Sequence, residues 1–392
     1  MYVQHVEKLE DLQPYRRRWD ELAGDCVFRS WTWLTTWWQY YGTACAQRQL
    51  HVLLVFDNDS PSPCGGKNNT SCSASIDDYP AENDQLIAIL PCYLENSLVR
   101  GNVLRLLGDG ETCSDHLDLL VAPSDIQRVV ETLAGALSDR AADWDVADFS
   151  AVDVDSVALQ RLFAKLEARH CHVSRVASQH CWSIQLPTSW DEYLAEHSKS
   201  HRKKLRRLER QVLDSERAVW HIVQSPEEFD AGWRILVDLH QRRRRSLGDP
   251  GCFASQQFAS FHRDVARQLL AAGGLRLCWL ALDGQPIAVE YNLASGKTTY
   301  GYQAGLDPER LAEEPGRLTM IRALQLAIAE GHDQFDLLRG DEPYKARWHA
   351  TPHATHDVQV VPPRGAARWR WRSWTYLRRA GRYAREFANL LS

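Results

Sequence analysis

The alternation of apolar and polar positions predicts helices and strands along most of the chain. Apolar residues at helical spacing predict amphipathic helices, and short apolar runs bounded by turn-forming residues predict strands. In the first half, the predicted helices cover residues 5–24, 28–42, about 124–140 and about 156–169. The predicted strands cover 49–58, 86–95, 103–108, 116–122, 144–152 and a segment that begins near Cys171. This order of elements indicates a mixed α/β module over residues 1–176.

The second half repeats this plan with different residues. A strand at 181–187 is followed by a basic helical stretch at 189–216, and Ser189 is placed to cap its first turn. Further helices are predicted at 226–246, 255–274 and 316–331. Three strands joined by tight Gly turns are predicted at 275–284, 285–295 and 297–307. Two later strands are predicted at 334–340 and 356–362. We therefore expect a second α/β module over 177–363, with mixed, largely antiparallel sheets flanked by helices.

Two segments depart from this pattern. Residues 58–85 are almost free of apolar side chains and rich in Ser, Asn, Asp, Pro and Gly, which is typical of a flexible insertion between strands. Residues 364–392 form a predicted helix in which eight Arg and one Glu are interleaved with Trp and Tyr. Arg with aromatic residues suits contact with an anionic membrane surface. The alternative is a helix that docks its Trp side chains on the sheet.

Composition and charge exclude several classes of protein. The chain has 392 residues, and its net charge of −5 gives no overall basic field for nucleic acid. The N-terminus lacks the apolar core of a secretory signal, and no run reaches the ~18 apolar residues of a membrane span. A cytoplasmic protein is expected, with its ten Cys as reduced thiols. No spacing of Cys and His is typical of a zinc site, so no metal is expected.

Four stretches carry a resemblance to a known family. They are FRSWTWLTTWWQYYG at 28–42, SKSHRKKLRRLERQ at 198–211, YGYQAGLDPE with EPGRLTMIRALQLAIAEG at 300–331, and FDLLRGDEPYKARW at 335–348. With them the chain resembles the GNAT acyltransferase superfamily, and more narrowly the CelD-like group of cellulose and exopolysaccharide biosynthesis, relatives of the Fem-type aminoacyltransferases. The resemblance covers most of the chain and implies two tandem GNAT-like modules. It implies that 1–176 is degenerate and that 177–363 binds acetyl-CoA or another acyl-CoA as co-substrate.

The resemblance places the donor at the start of the helix at 316–331. A helix N-terminus favours the anionic pyrophosphate of such a donor, because its N–H groups and its dipole present positive charge. Gly316 permits close approach of the backbone, and Arg317 adds a cation, although Glu313 and Glu314 precede them. The alternative is a plain helix start. The predicted donor-binding residues are Gly316, Arg317, Leu318 and Thr319.

Transfer of an acyl group requires a general base near the acyl carbon. Alternation along the strand at 285–295 places Glu290 within an otherwise apolar segment. Burial there would raise the pKa of Glu290 and suit it to proton abstraction near neutral pH. The alternative is a Glu on the exposed side of a half-buried sheet. Further candidates for substrate contact are Tyr302 and Gln303 on the next strand, and His240 on a helix.

The stretch FDLLRGDEPYKARW begins as an apolar strand and ends in a dense group of charged and aromatic residues. Gly340 and Pro343 predict a sharp turn there, and ligands of open α/β sheets commonly bind at strand ends. The candidate catalytic residues are Asp341, Glu342, Tyr344 and Lys345, and the candidates for substrate contact are Arg339 and Trp348. The alternative is a cluster of structural salt bridges. Asp336 alternates to the other side and is expected to be a buried structural partner.

Three functions of different classes follow. The first is an acyl-CoA-dependent N- or O-acyltransferase, with acyl groups other than aminoacyl, that acts on a cell-surface polysaccharide or its precursor. The second is a Fem-type transferase that uses aminoacyl-tRNA, whose phosphates the basic run at 198–211 would bind; otherwise that run is a solvated face. The third is a non-catalytic scaffold of a membrane-bound synthase. The expected partners are acyl-CoA, a saccharide or amine acceptor, and the inner face of the membrane through 364–392, with tRNA only under the second function.

Overall fold

The computed structural model describes residues 1–57 and 85–390, and it has a mixed α/β fold. The predicted insertion at 58–85 lies outside the described residues, except for Gln85, which begins a strand. Short π-helical turns extend the second helix to Gly42 and the sixth to Leu213. The helices are α1 Arg16–Ala23, α2 Trp31–Trp37, α3 Ile126–Asp139, α4 Val157–Ala168, α5 Trp190–Glu196, α6 Lys199–Leu208, α7 Pro226–Ser246, α8 Gln256–Ala271, α9 Pro315–Ala329, α10 Pro343–Arg347 and α11 Gly365–Leu390.

The described strands form three sheets. The strands are β1 Tyr2–Val6, β2 Arg48–Leu50, β3 Val52–Asp57, β4 Gln85–Leu90, β5 Cys92–Ser97, β6 Gly101–Leu106, β7 Leu120–Val121, β8 Val146–Asp153, β9 His172–Ala177, β10 Cys181–Gln185, β11 Ala218–Ile222, β12 Leu275–Leu282, β13 Gln285–Ser295, β14 Thr298–Leu306, β15 Gln334–Arg339, β16 Thr351–His353 and β17 Thr355–Val361. The strand orders are β1-β3-β4-β7, β2-β5-β6-β8-β17-β9 and β11-β12-β13-β14-β15-β10-β16. Within these described strands, β6 with β8 and β14 with β15 are parallel pairs, and the other pairs are antiparallel.

Serine side chains begin six of the described helices. In each case the hydroxyl accepts a hydrogen bond from a first-turn N–H that the helix leaves unpaired. The capping residues are Ser30, Ser156, Ser189, Ser198, Ser225 and Ser255. The start of α9 differs, because the preceding Glu314 has a φ of 56° and no side chain accepts a hydrogen bond from the first turn. The N-terminus of α9 is therefore left without a side-chain cap.

The Trp-rich segment around α2 joins the two halves of the chain. The ring of Trp33 lies 5.2 Å from that of Phe261 and 5.7 Å from that of Tyr302, measured between centroids. Phe28 lies 5.3 Å from Tyr300 in the same way. These rings belong to one continuous core with members from both halves. Because aromatic pairs add about 0.5–1.5 kcal/mol beyond their burial, this core fixes the first half against the sheet of the second.

The structure confirms the fold class, a mixed α/β fold with largely antiparallel sheets flanked by helices. Two element predictions are wrong. The helix expected over 5–24 is helical only from Glu10, where a 3₁₀-helix at Glu10–Tyr15 leads into α1, because the residues up to Val6 belong to β1 and pair antiparallel with β3. The strand expected to complete the second module, β17, lies between β8 and β9 in a sheet of the first half. The chain thus returns to the first half near its end, and the boundaries at 176 and 363 stay a prediction.

Candidate active site

The parallel strands β14 and β15 pair only at their first three positions. Within the described strands, the pairing joins Thr298 with Gln334 and ends where Tyr300 meets Asp336. A cavity of about 810 Å³ opens where the strands separate, lined by 301–304 of β14 and 337–339 of β15. Where two strands separate, the backbone N–H and C=O groups on their facing edges no longer hydrogen-bond to each other. The wedge between β14 and β15 therefore offers hydrogen bonds to an extended ligand, in a volume typical of small-molecule sites.

One end of the cavity is formed by the start of α9. Gly316 and Arg317 line it, as predicted for donor contact. A Cβ added to Gly316 would lie 3.3 Å from the side chain of Leu306, so a larger residue would fill this end of the wedge. Burial, and then the neighbouring cation of Arg347, lower the pKa of Arg317. Two close guanidinium groups beside an uncapped helix N-terminus favour an anion such as a phosphate.

The basic run on α6 faces the same end of the cavity. Lys204 Nζ lies 2.8 Å from Glu314 Oε2, and Arg207 Nη2 lies 3.9 Å from Glu314 Oε1. Arg317 forms an ion pair with the same carboxylate, and His201 of α6 lines the cavity. A single carboxylate is thus surrounded by three cations. The excess positive charge beside α9 is a feature that an anionic donor would complement.

Glu290 lies behind the wedge, on β13, in register with Ala304 of β14. Its side chain is buried and lines the cavity. Burial raises the pKa of Glu290 to about 7, and a hydrogen bond of 2.7 Å donated by Thr319 Oγ1 opposes that rise. A carboxylate with this pKa can take up a proton near neutral pH. Burial excludes the alternative of a Glu on the exposed side of the sheet.

The ammonium group of Lys345 is fully engaged by contacts within its own turn. Its side chain is 2% exposed, and Nζ donates to the carbonyl oxygens of Leu338 and Gly340, both at 2.9 Å. Glu342 Oε2 lies 3.1 Å from the same nitrogen. An ammonium group has three N–H donors, and these contacts use all of them. Lys345 and Glu342 line the cavity, but the geometry favours a role for Lys345 in holding the end of β15.

The first half reaches the cavity through the loop 110–116. Asp115 Oδ2 accepts a hydrogen bond of 2.8 Å from the backbone N–H of Arg339, whose Nε lies 3.2 Å from Asp115 Oδ1. Glu111 and Cys113 also line the cavity, and Tyr302 donates its phenol hydrogen to the Thr112 carbonyl. Sequence reasoning missed this loop. Its residues show no motif, and the bond between Asp115 and Arg339 spans 224 positions.

The remaining predicted site residues divide into two groups. Those that line the cavity are Tyr302, Gln303, Arg339, Tyr344 and Trp348. Those that do not are Leu318 and Thr319, buried within α9, together with His240 and Asp341. His240 lies buried behind the wall, with Nδ1 3.1 Å from Gln241 Oε1. Asp341 is exposed and accepts a hydrogen bond of 3.1 Å from Trp182 Nε1, so the structure does not bring it to the cavity.

A partly buried network of His116 and two carboxylates lies next to the site. His116 Nδ1 is 2.8 Å from Asp153 Oδ2, and His116 Nε2 is 3.0 Å from Asp336 Oδ2. Asp336 is buried, as predicted. His116, Asp153 and Cys181 also bring possible metal-ligand atoms within 4.8 Å of one another. Because carboxylates engage both ring nitrogens of His116, this group is a hydrogen-bonded bridge between the halves.

Comparisons with known proteins find similarity in one segment of the sequence and in the fold. Residues 199–346, which include α6, α9, Glu290 and most of the cavity wall, match the family model described as the acetyltransferase (GNAT) domain. The solved structure of FemX is similar, with a TM-score of 0.61 and 10% sequence identity, over 92% of this chain and 97% of FemX. A conserved protein of unknown function from Bacteroides thetaiotaomicron is similar at a TM-score of 0.51 and 11% identity, over 92% of this chain and 99% of that one.

None of the curated proteins compared with this sequence matches it. The sequences of these two proteins are 10% and 11% identical to this one, so the structural similarity establishes a shared fold. The narrower assignment to the CelD-like group stays a prediction. The chain contains a segment similar to the GNAT acetyltransferase domain, within a fold that it shares with FemX.

Proposed function

We propose that this protein is an acyl-CoA-dependent N- or O-acyltransferase that acts on a cell-surface polysaccharide or its precursor. One observation carries the proposal. A buried carboxylate, Glu290, with a pKa of about 7 lies directly behind a wedge that ends at an uncapped, cation-rich helix N-terminus. The donor's phosphates would bind at Gly316 and Arg317, and its acyl arm would lie in the wedge beside β14. This arrangement supports a role for Glu290 as a base beside the expected position of the acyl carbon.

The proposed reaction uses two protonatable side chains. As the acceptor nitrogen or oxygen bonds to the thioester carbon, Glu290 takes up the acceptor's proton and the carbon–sulfur bond breaks. Burial, and then the carboxylates of Glu342 and Glu290, raise the pKa of Tyr344, so its phenol stays protonated at neutral pH. Tyr344 lines the cavity and is partly exposed. Its phenol can therefore donate a hydrogen bond that stabilises the departing sulfur, while the thiolate takes a proton from solvent and Glu290 returns the acceptor's proton to solvent.

The acceptor is proposed to enter beside the first half of the chain. That side of the cavity is lined by polar groups of Glu111, Gln179 and Gln303 next to the rings of Phe258 and Tyr302. Planar polar side chains beside aromatic rings supply hydrogen bonds and an apolar platform. This combination suits a saccharide hydroxyl or an amino sugar.

A second candidate is a Fem-type transfer from aminoacyl-tRNA. The observation that favours it is the position of Lys204 and Arg207, which place the basic face of α6 at the donor end. Such a face can bind the phosphates of a nucleic acid as well as those of CoA. The two candidates share the wedge and the base, and they differ in the donor.

The deciding experiment supplies both donors separately. Purified protein is incubated with acetyl-CoA or longer acyl-CoAs and a panel of amino sugars and neutral saccharides, and mass spectrometry measures free CoA and acylated acceptor. We expect free CoA and acylated acceptor to form in equal amounts, and we expect RNase to leave both amounts unchanged. Transfer that occurs only from aminoacyl-tRNA and is abolished by RNase would support the second candidate instead. Absence of transfer from either donor would support a non-catalytic scaffold and contradict both.

Arg317→Ala is expected to raise the KM for acyl-CoA by about ten- to a hundredfold, since one charge-assisted contact to a phosphate contributes roughly 1.5–3 kcal/mol. Glu314→Gln is expected to lower this KM, because it removes a negative charge that pairs with Arg317 and Lys204. Steady-state kinetics with varied acyl-CoA measures both.

The matched control for these two variants is Arg206→Ala. Arg206 lies on α6 but pairs with the exposed Asp191, 2.9 Å away. Its replacement should leave the KM unchanged. Equal effects of Arg206→Ala and Arg317→Ala would show that general surface charge, rather than the start of α9, attracts the donor.

A further inference from the structure

The C-terminal helix α11 has one face that is docked on the protein. Ala367 is fully buried. The indole N–H of Trp371 donates a hydrogen bond of 2.9 Å to Gln359 Oε1, and its ring lies 4.6 Å from that of His172. Arg370 Nη1 lies 2.9 Å from Asp145 Oδ2. The sequence left open whether the Trp residues of this segment pack on the sheet or face outward, and Trp371 packs.

Beyond its docked face, α11 carries large apolar side chains without cover from the described residues. Trp369 is 70% exposed, Tyr376 is 73% exposed and Leu377 is 61% exposed. Trp369 and Tyr376 lie seven residues apart, which is two helical turns, so they project from the same side. Exposing such side chains together is unfavourable in water unless another surface covers them.

A second exposed apolar element lies beside this helix. The turn between β5 and β6 presents Leu98, with full exposure, and Val99, with 51% exposure. The next residue, Arg100, places its guanidinium carbon 4.3 Å from the centroid of the Trp374 ring of α11. The turn is therefore held against the helix. Two independent parts of the chain expose apolar side chains at the same end of the molecule.

The charge around these apolar side chains is positive. Residues 364–378 contain five Arg and no Asp or Glu, whereas the whole chain has a net charge of −5. Arg372 and Arg378 are exposed. The nearby acid Asp145 is already paired with Arg364 and Arg370. None of the described helices, α11 included, is both long and apolar enough to cross a bilayer.

We propose that the exposed face of α11 and the turn at Leu98–Val99 form one surface, the α11 surface, that binds an anionic lipid bilayer. Trp and Tyr lie favourably at the lipid headgroups, aliphatic side chains enter the acyl boundary, and Arg attracts anionic lipid. The aliphatic Leu98, Val99 and Leu377 favour lipid over nucleic acid, because they offer no ring to stack on a base. The concentration of Arg without acids disfavours pairing of two copies through this face.

Sedimentation with lipid vesicles tests this proposal on the full chain. We expect the protein to sediment with vesicles of phosphatidylcholine mixed with phosphatidylglycerol, weakly or not with phosphatidylcholine alone, and less as salt is raised. The double variant Trp369→Ser and Tyr376→Ser should lower the partition coefficient about tenfold or more, since each ring loses its favourable interfacial burial. Leu98→Ser should lower it through the separate turn.

Leu377→Ser and Leu247→Ser form a matched pair. Both residues are leucines with near-equal exposure, 61% and 60%, and Leu247 lies outside the α11 surface, at the end of α7. We expect only Leu377→Ser to weaken vesicle binding. Equal binding of all variants, absence of binding to either vesicle, or preferential binding to a homopolymer RNA would overturn the proposal. The proposal would also be overturned if the wild type did not bind vesicles but formed a dimer in analytical ultracentrifugation, and if the double variant of Trp369 and Tyr376 were a monomer.

Discussion

Glu290→Gln is expected to lower kcat by about 10²–10⁴-fold, because general base catalysis contributes a factor of this size. In the wild type, kcat/KM should rise with pH and level off above about 7, where Glu290 is ionised and can accept a proton. The residual rate of the variant should lack this dependence. Steady-state measurement of free CoA release between pH 5.5 and 9 tests both statements. The exposed Glu309 supplies the control, since Glu309→Gln should keep the full rate and the pH profile.

Glu290→Gln should lower kcat but raise the free energy of unfolding at neutral and alkaline pH. Burial raises the pKa of Glu290 above its ordinary value of 4.5, so folding is progressively disfavoured as pH rises from about 4.5 through about 7. A difference of this size corresponds to about 3 kcal/mol once the group is ionised in both states. Urea unfolding should therefore find Glu290→Gln more stable than wild type at pH 8 and similar at pH 4. A variant with lower kcat and unchanged relative stability across this range would contradict the buried, raised-pKa carboxylate.

The hydroxyl of Thr319 offers an independent test of the Glu290 assignment. It donates to Glu290 Oε1 and lowers the pKa of that carboxyl. Thr319→Val is therefore expected to move the midpoint of the pH–rate profile to higher pH, with a modest loss of maximal rate. A midpoint that stays in place would show that a group other than Glu290 controls the rate.

Lys345→Met is expected to lower the free energy of unfolding by about 3 kcal/mol, because it leaves the carbonyl oxygens of two buried residues without their charged donor. The carbonyl groups belong to Leu338 and Gly340, at the end of β15 where it meets the cavity. Urea unfolding at neutral pH measures the change. The matched control is Lys297→Met. Lys297 is 70% exposed and 3.5 Å from Asp333, so its loss should change stability by less than about 1 kcal/mol.

The same variant separates a structural from a catalytic role for Lys345. If Lys345 only holds the turn, the variant should keep a substantial kcat at low temperature, where it remains folded, and lose activity on warming. Loss of kcat with unchanged stability would mean instead that the ammonium group takes part in the reaction.

The parts of the site that follow local patterns were predictable from the sequence. Strand alternation identified Glu290 as a charged residue on an apolar strand, and the family resemblance at the turn before α9 identified Gly316 and Arg317. These predictions depend on neighbours within a few positions, and the structure places all three residues on the cavity wall. The basic run on α6 was equally visible, although its position beside Glu314 was not.

The parts that depend on contacts between distant segments were not predictable. Asp115 contributes to the wall through Arg339, and no periodicity links a loop of the first half to the end of β15. The placement of β17 between β8 and β9 is of the same kind, because an apolar strand pairs equally well with either sheet until packing decides. Lys345 belongs to a charged run of the kind that usually lies on the surface. Its ammonium group is nevertheless buried and donates hydrogen bonds to nearby backbone carbonyl oxygens.

Direct titration of the protein with acetyl-CoA by calorimetry tests the central claim, that the wedge between β14 and β15 holds the donor. Ala304→Trp should fill the wedge, because Ala304 is exposed on β14 and lines the cavity. Val219→Trp is the control, at an exposed position of β11 at the edge of the same sheet. We predict saturable binding by the wild type and by Val219→Trp, and none by a folded Ala304→Trp. Absence of binding by the wild type, or equal affinity in all three proteins, would contradict the account.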